Sequence, residues 1–336
     1  MKIRLGIVGA GIASRDLHLP ALKRLEDLFE ITAINSRTEK KALAFAALLD
    51  NPPRVFESYA EMLSSSTIDA VVLAVPIVLN PEMILTAAKA GIPVICEKPV
   101  APTLNAALEL KGLKTNPVVY IAENYRHIKV FRKAAEIIRS GRIGRPVAFL
   151  WQKRVNFNKD NKYVQTRWRQ KPEHIGGFIS DGGVHDIAVL RLILGEVFEV
   201  NCFAVQNFDY LGDIDTITLN LKLENGTVGN YSVLYGSPVA RNQLEVVGTD
   251  GAVSISKEMS TIDITGRDPE HMIVDISEGF EEEFRDFHAV LKGQENRFGS
   301  VQEAIRDLAV IEAGLISARE SRNIIIADLL DGAKKE

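Results

Sequence analysis

The chain has 336 residues, enough for two domains of average size, and its 46% hydrophobic and 25% charged residues are typical of a globular protein. The net charge of −4 argues against a surface built to bind nucleic acid. No apolar run reaches the ~18 residues of a membrane span, and the apolar stretch at the N-terminus is too short for a signal peptide. The two cysteines, Cys96 and Cys202, lack metal or redox spacing, so we expect a cytoplasmic protein without a metal site.

The first half of the chain alternates short apolar runs with amphipathic stretches. The apolar runs predict strands covered on both faces, at residues 3–8, 29–34, 55–56, 70–75, 92–96 and 118–122. The stretches between them predict helices at residues 17–28, 40–49, 82–90 and 103–114, and a short helix capped by Ser58. This alternation indicates a doubly wound parallel sheet, so we expect a Rossmann domain over residues 1–123.

A glycine-rich turn follows the first predicted strand. Gly9 allows a tight turn, Gly11 lets backbone N–H groups approach a pyrophosphate, and Ser14 fills a third position that only has to be small. Its place between a strand and a helix favours dinucleotide binding over a plain glycine turn. The predicted cofactor-binding residues of this loop are Gly9, Ala10, Gly11, Ile12 and Ala13.

The end of the second predicted strand bears on the choice of cofactor. An acidic residue here would bind the ribose 2′-hydroxyl of NAD, but the chain has Ser36 and Arg37. A hydroxyl and a guanidinium suit a 2′-phosphate, which predicts NADP, with NAD less favoured. The alternative is that Arg37 only opens the next helix.

Two further strand ends point at the same edge of the sheet. Val75, Pro76 and Asn80 follow the fourth strand and are expected to flank the cofactor. Lys98 follows the fifth strand directly and is placed to act on a ligand, although a solvated surface lysine is the simpler reading.

The second half of the chain changes to longer alternating strands. Residues 216–223 alternate apolar and polar side chains, Asn225-Gly226 predicts a type I′ hairpin, and Asp250-Gly251 indicates a second hairpin. Helices are predicted at residues 130–139, 280–291 and 301–320. We expect residues 124–336 to form an α+β domain with a large, mostly antiparallel sheet that binds substrate and makes a homodimer or homotetramer.

Asp181 and His185 form a second candidate cluster. They are four residues apart on a predicted helix, and an Asp beside a His orients the imidazole and favours its protonated form. Gly182 and Gly183 between them are unfavourable in a helix unless a ligand or another chain segment approaches closely. The alternative is an ordinary pair on a solvated helix face.

Seven basic residues and four aromatic residues lie between Trp151 and Lys171. Such a mixture can bind single-stranded nucleic acid. The negative net charge favours the other reading, a loop that closes over a pocket holding a phosphate-rich cofactor.

Taken together, the glycine loop, Glu97-Lys98-Pro99, Asn124-Tyr125-Arg126 and the Asp181-x-Gly183-x-His185 segment resemble the glucose–fructose oxidoreductase, inositol dehydrogenase and MocA family over the whole chain. The resemblance implies a nicotinamide-dependent enzyme that oxidises or reduces a sugar, a polyol or a related hydroxy or keto compound, and the Ser36-Arg37 pair makes NADP(H) the expected cofactor. Two positions depart from the family pattern: Asn80 stands where many members have His, and Tyr125 where Arg is frequent.

The resemblance also implies roles for individual residues. Lys98, Asp181 and His185 fall on the catalytic positions: His185 exchanges the proton with the substrate oxygen, Lys98 polarises that oxygen, and Asp181 orients His185. Further implied cofactor contacts are Glu97, Lys98, Asn124, Trp168 and Arg169. Implied substrate contacts are Lys98, Tyr125, Arg126, Asp181 and His185. The alternative function is a non-catalytic, NADP-sensing regulator on the same scaffold.

Overall fold

The computed structural model of the protein describes residues 1–113, 116–256 and 260–332. The chain divides into two compact units. The first unit consists of Met1–Pro102, Ala106–Asn124 and Gly279–Ile305, and the second of Thr103–Asn105, Tyr125–Glu278 and the chain from Arg306 onward.

The first unit contains a six-stranded, all-parallel sheet. Its strands are β1 (Ile3–Val8), β2 (Phe29–Asn35), β3 (Arg54–Phe56), β4 (Ala70–Leu73), β5 (Val94–Glu97) and β6 (Val119–Ala122). The spatial order is β3-β2-β1-β4-β5-β6, with the topological switch between β1 and β4. Every residue of β4 and β6 is buried, which explains why these strands are unbroken apolar runs. The predicted doubly wound parallel sheet is confirmed.

Helices connect these strands, and some differ in length from the prediction. The helices are α1 (Leu19–Arg24), α2 (Glu39–Ala46), α3 (Tyr59–Ser64), α4 (Asn80–Lys89) and α5 (Leu104–Leu108). The first predicted helix, residues 17–28, is instead a π-helical segment, Ala13–His18, followed by the short α1. The helix predicted to residue 114 ends at Leu108, and residue 114 itself lies outside the described residues. Ser58 caps α3 as predicted, since its side chain accepts a hydrogen bond from the Glu61 N–H.

A late helix completes the core of the first unit. In α9 (Phe280–Leu291), Phe284 and Phe287 are fully buried in the same cluster as Leu5 and Tyr120. The domain prediction placed this helix in the second domain with the rest of residues 124–336, of which residues 333–336 lie outside the described chain. The helix groups with the first unit because its aromatic face packs against the Rossmann core.

The second unit contains a nine-stranded sheet. Its strands are β7 (Pro146–Val155), β8 (Val197–Val205), β9 (Thr216–Leu223), β10 (Val228–Tyr235), β11 (Arg241–Gly248), β12 (Gly251–Ser256), β13 (Thr261–Gly266), β14 (Glu270–Ile273) and β15 (Ile324–Ile325). Their order is β14-β13-β12-β11-β7-β10-β9-β8-β15. Among the described pairings of this nine-stranded sheet, only the β7–β10 pair is parallel. The predicted mostly antiparallel sheet is therefore confirmed.

The turn between β9 and β10 differs from the predicted type I′ turn. A type I′ turn needs a positive φ at both central residues, but Gly226 has a φ of 84° and Asn225 is not among the described residues with positive φ. The loop spans four residues, Glu224 to Thr227, closed by hydrogen bonds between Leu223 and Thr227 and between Gly226 and Leu223. The longer loop needs only one left-handed residue, and the glycine supplies it.

Further α-helices in the described residues are α6 (Lys129–Arg139), α7 (Arg167–Gln170), α8 (Phe178–Leu194), α10 (Val301–Glu320) and α11 (Ile326–Gly332). The predicted bounds of α9 and α10 are confirmed. Within the chain as described, no helix combines the length and the apolar character that a membrane crossing requires.

Candidate active site

The glycine loop after β1 is shaped to receive a phosphate group. Gly9 has a φ of 96°, and a Cβ there would collide with the Ala74 carbonyl oxygen. A Cβ on Gly11 would instead meet no described atom within 4 Å, so there is open space over the backbone N–H groups. The buried Ser14 hydroxyl donates to the Gly9 carbonyl and ties the loop to the following helix. This open cradle fits a dinucleotide pyrophosphate.

The rest of the predicted loop supports this cradle. Ala10, Ile12 and Ala13 are partly buried, and Ala10 packs against the core of the first unit. The backbone N–H groups of this segment, rather than its apolar side chains, are the donors available to a phosphate.

The carboxyl end of β2 presents a cation and no acid. Asn35 is buried, and its amide donates to the Phe56 carbonyl oxygen, so its side chain is used within the fold. Ser36 is partly exposed and Arg37 is exposed. Arg37 makes no hydrogen bond or ion pair with any residue in the described part of the chain, so its guanidinium is available to a ligand.

Asn80 supports the loop that carries Lys98. Its side chain is fully buried, and its amide donates to the carbonyl oxygens of Glu97 (3.0 Å) and Pro99 (2.8 Å). Val75 and Pro76 lie in the open turn between β4 and α4 and are partly exposed. Contact between these three residues and a cofactor stays a prediction, and Asn80 already has a structural task.

Lys98 directly follows the last residue of β5, and its side chain is partly buried. The Lys98–Pro99 peptide bond is cis. The preceding carboxylate of Glu97 lies 2.6 Å from Nε2 of the buried His18. His18 is therefore a direct partner of the lysine motif. No local sequence signal links residues this far apart in the chain.

In the second unit, α8 carries Asp181 and His185 as predicted, with Asp181 buried and His185 partly buried. The Asp181 carboxylate forms an ion pair with Arg169, with 2.7 Å between Nε and Oδ2. The His185 ring stacks on the Tyr125 ring, with 4.3 Å between centroids. Two residues predicted from separate segments, Tyr125 and Arg169, therefore contact the two predicted catalytic residues of α8.

Trp168 and Arg169 lie on α7. The Arg169 guanidinium carbon stands 3.9 Å from the centroid of the Trp168 ring, which also packs against His174. Burial lowers the pKa of His174, whose Nε2 lies 3.1 Å from the Gly177 carbonyl oxygen. The predicted cofactor contacts of Trp168 and Arg169 stay predictions, since the observed partner of Arg169 is the predicted catalytic Asp181.

Arg126 and Asn124 are both buried, at 3% and 6% exposure. Arg126 donates to Asp307 (2.6 Å), which also accepts from Arg191. This network uses at least part of the Arg126 guanidinium inside the second unit, so its predicted contact with substrate stays a prediction.

Sequence reasoning missed a buried network beside His185. Asp186, which is fully buried, accepts from Lys153 Nζ at 2.7 and 2.9 Å and from the Tyr231 hydroxyl. Burial, the largest single effect, would lower the pKa of Lys153, but the Asp186 carboxylate together with Tyr125 and Tyr235 outweighs burial and raises that pKa. The predicted loop over residues 151–171 is wrong at its start, because Trp151 and Lys153 belong to β7, where side chains at alternate positions point into the core.

The comparison with family models shows which protein family the chain belongs to. Residues 3–123 match the model described as "Oxidoreductase family, NAD-binding Rossmann fold", and residues 135–326 match "Oxidoreductase family, C-terminal alpha/beta domain" of the same GFO/IDH/MocA family. The chain belongs to the GFO/IDH/MocA oxidoreductase family. It is accordingly an NAD(P)-dependent dehydrogenase or reductase.

Known proteins are similar to this chain over nearly its whole length. An oxidoreductase from Thermotoga maritima, solved as a crystal structure, is 45% identical with a TM-score of 0.92, covering 98% of this chain and 100% of that one. An uncharacterized protein of Saccharomyces cerevisiae is 34% identical, covering 96% and 98%. The 1,5-anhydro-D-fructose reductase of Ensifer adhaerens is 25% identical, covering 91% and 93%.

Proposed function

We propose that this protein is an NADP(H)-dependent oxidoreductase that transfers hydride between nicotinamide and a sugar, a polyol or a related small carbonyl compound, with Lys98 and His185 handling the proton. The observation that carries the proposal is the position of Lys98 directly at the carboxyl end of β5, on the sheet edge where the open cradle over Gly11 also lies. The name of the Ensifer adhaerens relative, a reductase of 1,5-anhydro-D-fructose, supports a substrate of the sugar class.

The preference for NADP rests on the end of β2. The side chain there that usually selects NAD is an acid, and in this chain Asn35 is buried against Phe56 while Arg37 is exposed. A guanidinium pairs with a phosphate through two parallel hydrogen bonds and gains nothing comparable from a ribose hydroxyl.

Lys98, His185 and Asp181 each have one role in the proposed reaction. A bound nicotinamide supplies the hydride chemistry. The Lys98 ammonium polarises the reacting substrate oxygen. His185 Nε2 or Nδ1 takes the hydroxyl proton during oxidation and returns it during reduction. Asp181, which pairs with Arg169 at 2.7 Å between Oδ2 and Nε, lies one helical turn before His185 and orients its ring.

In the proposed function, the protein works in the cytoplasm as a homodimer or a homotetramer. Both cysteines are buried and unpaired, which suits a reducing compartment. Leu150, Phe203 and Val228 are 56%, 75% and 50% exposed, and strand pairing sets them on one face of the nine-stranded sheet. Such a face supports association with a second copy, which size-exclusion chromatography with light scattering tests.

The function is tested by a screen of sugars, polyols and small ketones with NADP⁺ and NADPH, read by absorbance of the reduced nicotinamide. With the best substrate, Lys98→Met should lower kcat by about 10² to 10⁴-fold, the usual range for loss of an acid–base group. Lys89→Met, at an exposed lysine of α4, is the matched control and should keep full activity. NADPH binding without turnover of any substrate would favour the regulatory alternative, and unchanged turnover in Lys98→Met would rule out the proposed mechanism.

A further inference from the structure

His18 is a buried histidine of the first unit to which the proposed reaction gives no role. Its ring is 2% exposed and packs against two aromatic rings of α9, with 5.5 Å between its centroid and that of Phe284 and 6.0 Å to that of Phe280. Burying an imidazole among aromatic rings costs free energy unless the ring is hydrogen-bonded. The partner is Glu97, because His18 Nε2 lies 2.6 Å from its Oε1 atom.

The chemistry of the two groups fixes the direction of this hydrogen bond. An ionised carboxylate can only accept, so the Nε2–H group of His18 donates to Glu97. The other ring nitrogen, Nδ1, is buried and has no partner among the residues that the structure describes. The contact with Glu97 is therefore the polar interaction that this ring position provides.

The backbone before His18 explains how the ring reaches the end of β5. Residues Ala13–His18 form the π-helical segment, at the end of which the Leu19 N–H donates to the Ser14 carbonyl oxygen, five residues back. A π-turn holds one residue more than an α-turn, which rotates the following side chains by roughly 100° about the helix axis. The segment begins two residues after Gly11, so one short element joins the glycine loop to the partner of Glu97.

The backbone around Lys98 is held on both sides of the lysine. The β5–β6 ladder ends at the pair of Glu97 and Ala122, so Lys98 lies beyond the last described pairing of its strand. The buried Asn80 amide donates to the carbonyl oxygens of Glu97 at 3.0 Å and of Pro99 at 2.8 Å. The contact with His18 adds a hydrogen bond to the Glu97 side chain and so limits the rotation of this residue directly before Lys98.

We propose that His18 is a positioning residue for Lys98, which it holds at the edge of the sheet through its hydrogen bond to Glu97. The inference deepens the proposed function, because it rests on Lys98 being the group that polarises the substrate oxygen. His18 exchanges no proton with the substrate in this role. Its loss should act on kcat, since a displacement of about 1 Å at a reacting group can cost about 10²-fold in rate.

The kinetic test compares three variants with the best substrate of the screen. His18→Leu removes the N–H donor and keeps an apolar side chain of similar size, so kcat should fall about 10- to 100-fold while KM for the substrate stays within about threefold. His18→Gln keeps an N–H donor and should recover most of the lost activity. His288→Leu is the matched control, because it makes the same change at a partly buried histidine that packs on Phe29, and it should keep full activity.

A double-mutant cycle separates positioning of Lys98 from a general loss of structure. In the Lys98→Met background, His18→Leu should cause no further loss of kcat, because the group that it positions is absent. A further loss of about 10-fold in that background would overturn the inference. So would equal losses of activity in His18→Leu and His18→Gln.

Hydrogen exchange of the backbone amides of residues 94–101 tests the same contact without turnover. In the full-length protein, His18→Leu should speed exchange of this peptide about 10-fold, as expected for the loss of a hydrogen bond to a charged group. His288→Leu should leave its exchange as in the wild type, and unchanged exchange in His18→Leu would overturn the inference. If His18→Leu fails to fold, His18→Asn, whose shorter amide does not reach Glu97, takes its place. A protein inactive with every substrate would reject the proposed function, and the exchange rates would then decide whether His18 holds the Lys98 segment.

Discussion

The imidazole ring of His185 stacks on the phenol ring of Tyr125, with 4.3 Å between their centroids and 17° between their planes. Tyr125 itself also contacts the Phe131 ring, at 6.0 Å between centroids, and the Lys153 ammonium, at 5.4 Å from the centroid of its ring. The stacked Tyr125 ring therefore restricts the orientation of the His185 ring.

Removing the Tyr125 ring should reduce turnover, because the His185 ring would lose the stacking contact that restricts its orientation. An aromatic stack is worth about 0.5–1.5 kcal/mol, so Tyr125→Ala should lower kcat about 2- to 12-fold with the best substrate of the screen. Tyr125→Phe keeps the ring and should retain most of the activity. An equal loss in both variants would show that the hydroxyl group, and not the stack, is what matters.

Arg37→Ala should weaken NADPH binding selectively. A charge-assisted hydrogen bond contributes about 1.5–3 kcal/mol, so KM for NADPH should rise roughly 10- to 100-fold, while KM for NADH should stay within about twofold. Initial rates with both cofactors measure the ratio. Lys40→Ala, at an exposed cation of the same segment, is the control and should change neither constant. Equal weakening of both cofactors would mean that Arg37 only supports the loop.

Asp186→Asn should destabilise the protein strongly, because it leaves the Lys153 ammonium buried without its counter-charge. Breaking one side of a buried ion pair typically costs about 3–5 kcal/mol. Urea unfolding followed by tryptophan fluorescence reports the loss, since Trp151 lies in the same core. The double variant Lys153→Met/Asp186→Leu should recover much of it. A double variant as unstable as Asp186→Asn would point to the Tyr231 hydroxyl, which also loses its acceptor.

Much of the first unit could be predicted because its signals are local. Strand β4, Ala70–Leu73, is buried on both faces and so reads as an unbroken apolar run. Gly9 and Lys98 could be located for the same reason, since each directly follows a strand in the sequence. The Asp181/His185 pair was visible from its helical spacing alone.

The missed features depend on residues far apart in the chain. His18 and Glu97 are 79 positions apart, and Lys153 and Asp186 are 33 apart, so no spacing rule connects them. One usable signal was overlooked: Phe149 and Trp151 alternate along a strand, and the same alternation carries Lys153 to the inner face of β7. A lysine at an inward position must find an acid there.

The two glycines between Asp181 and His185 should respond differently to alanine, although both would gain about 1 kcal/mol of helix propensity. A Cβ on Gly182 would collide with the Tyr235 hydroxyl, and the buried Tyr235 ring packs against Phe157 and Phe178. Gly182→Ala should therefore destabilise the protein by about 1–3 kcal/mol, as overpacking does.

A Cβ on Gly183 would meet only the tip of the Ile311 side chain, at 3.1 Å, so Gly183→Ala is the matched control and should stay within about 1 kcal/mol of the wild type. Urea unfolding of both variants measures the difference, and introducing Tyr235→Phe should reduce the penalty at Gly182 alone. Equal losses at the two positions would show that the Tyr235 hydroxyl is not what requires a glycine on this helix.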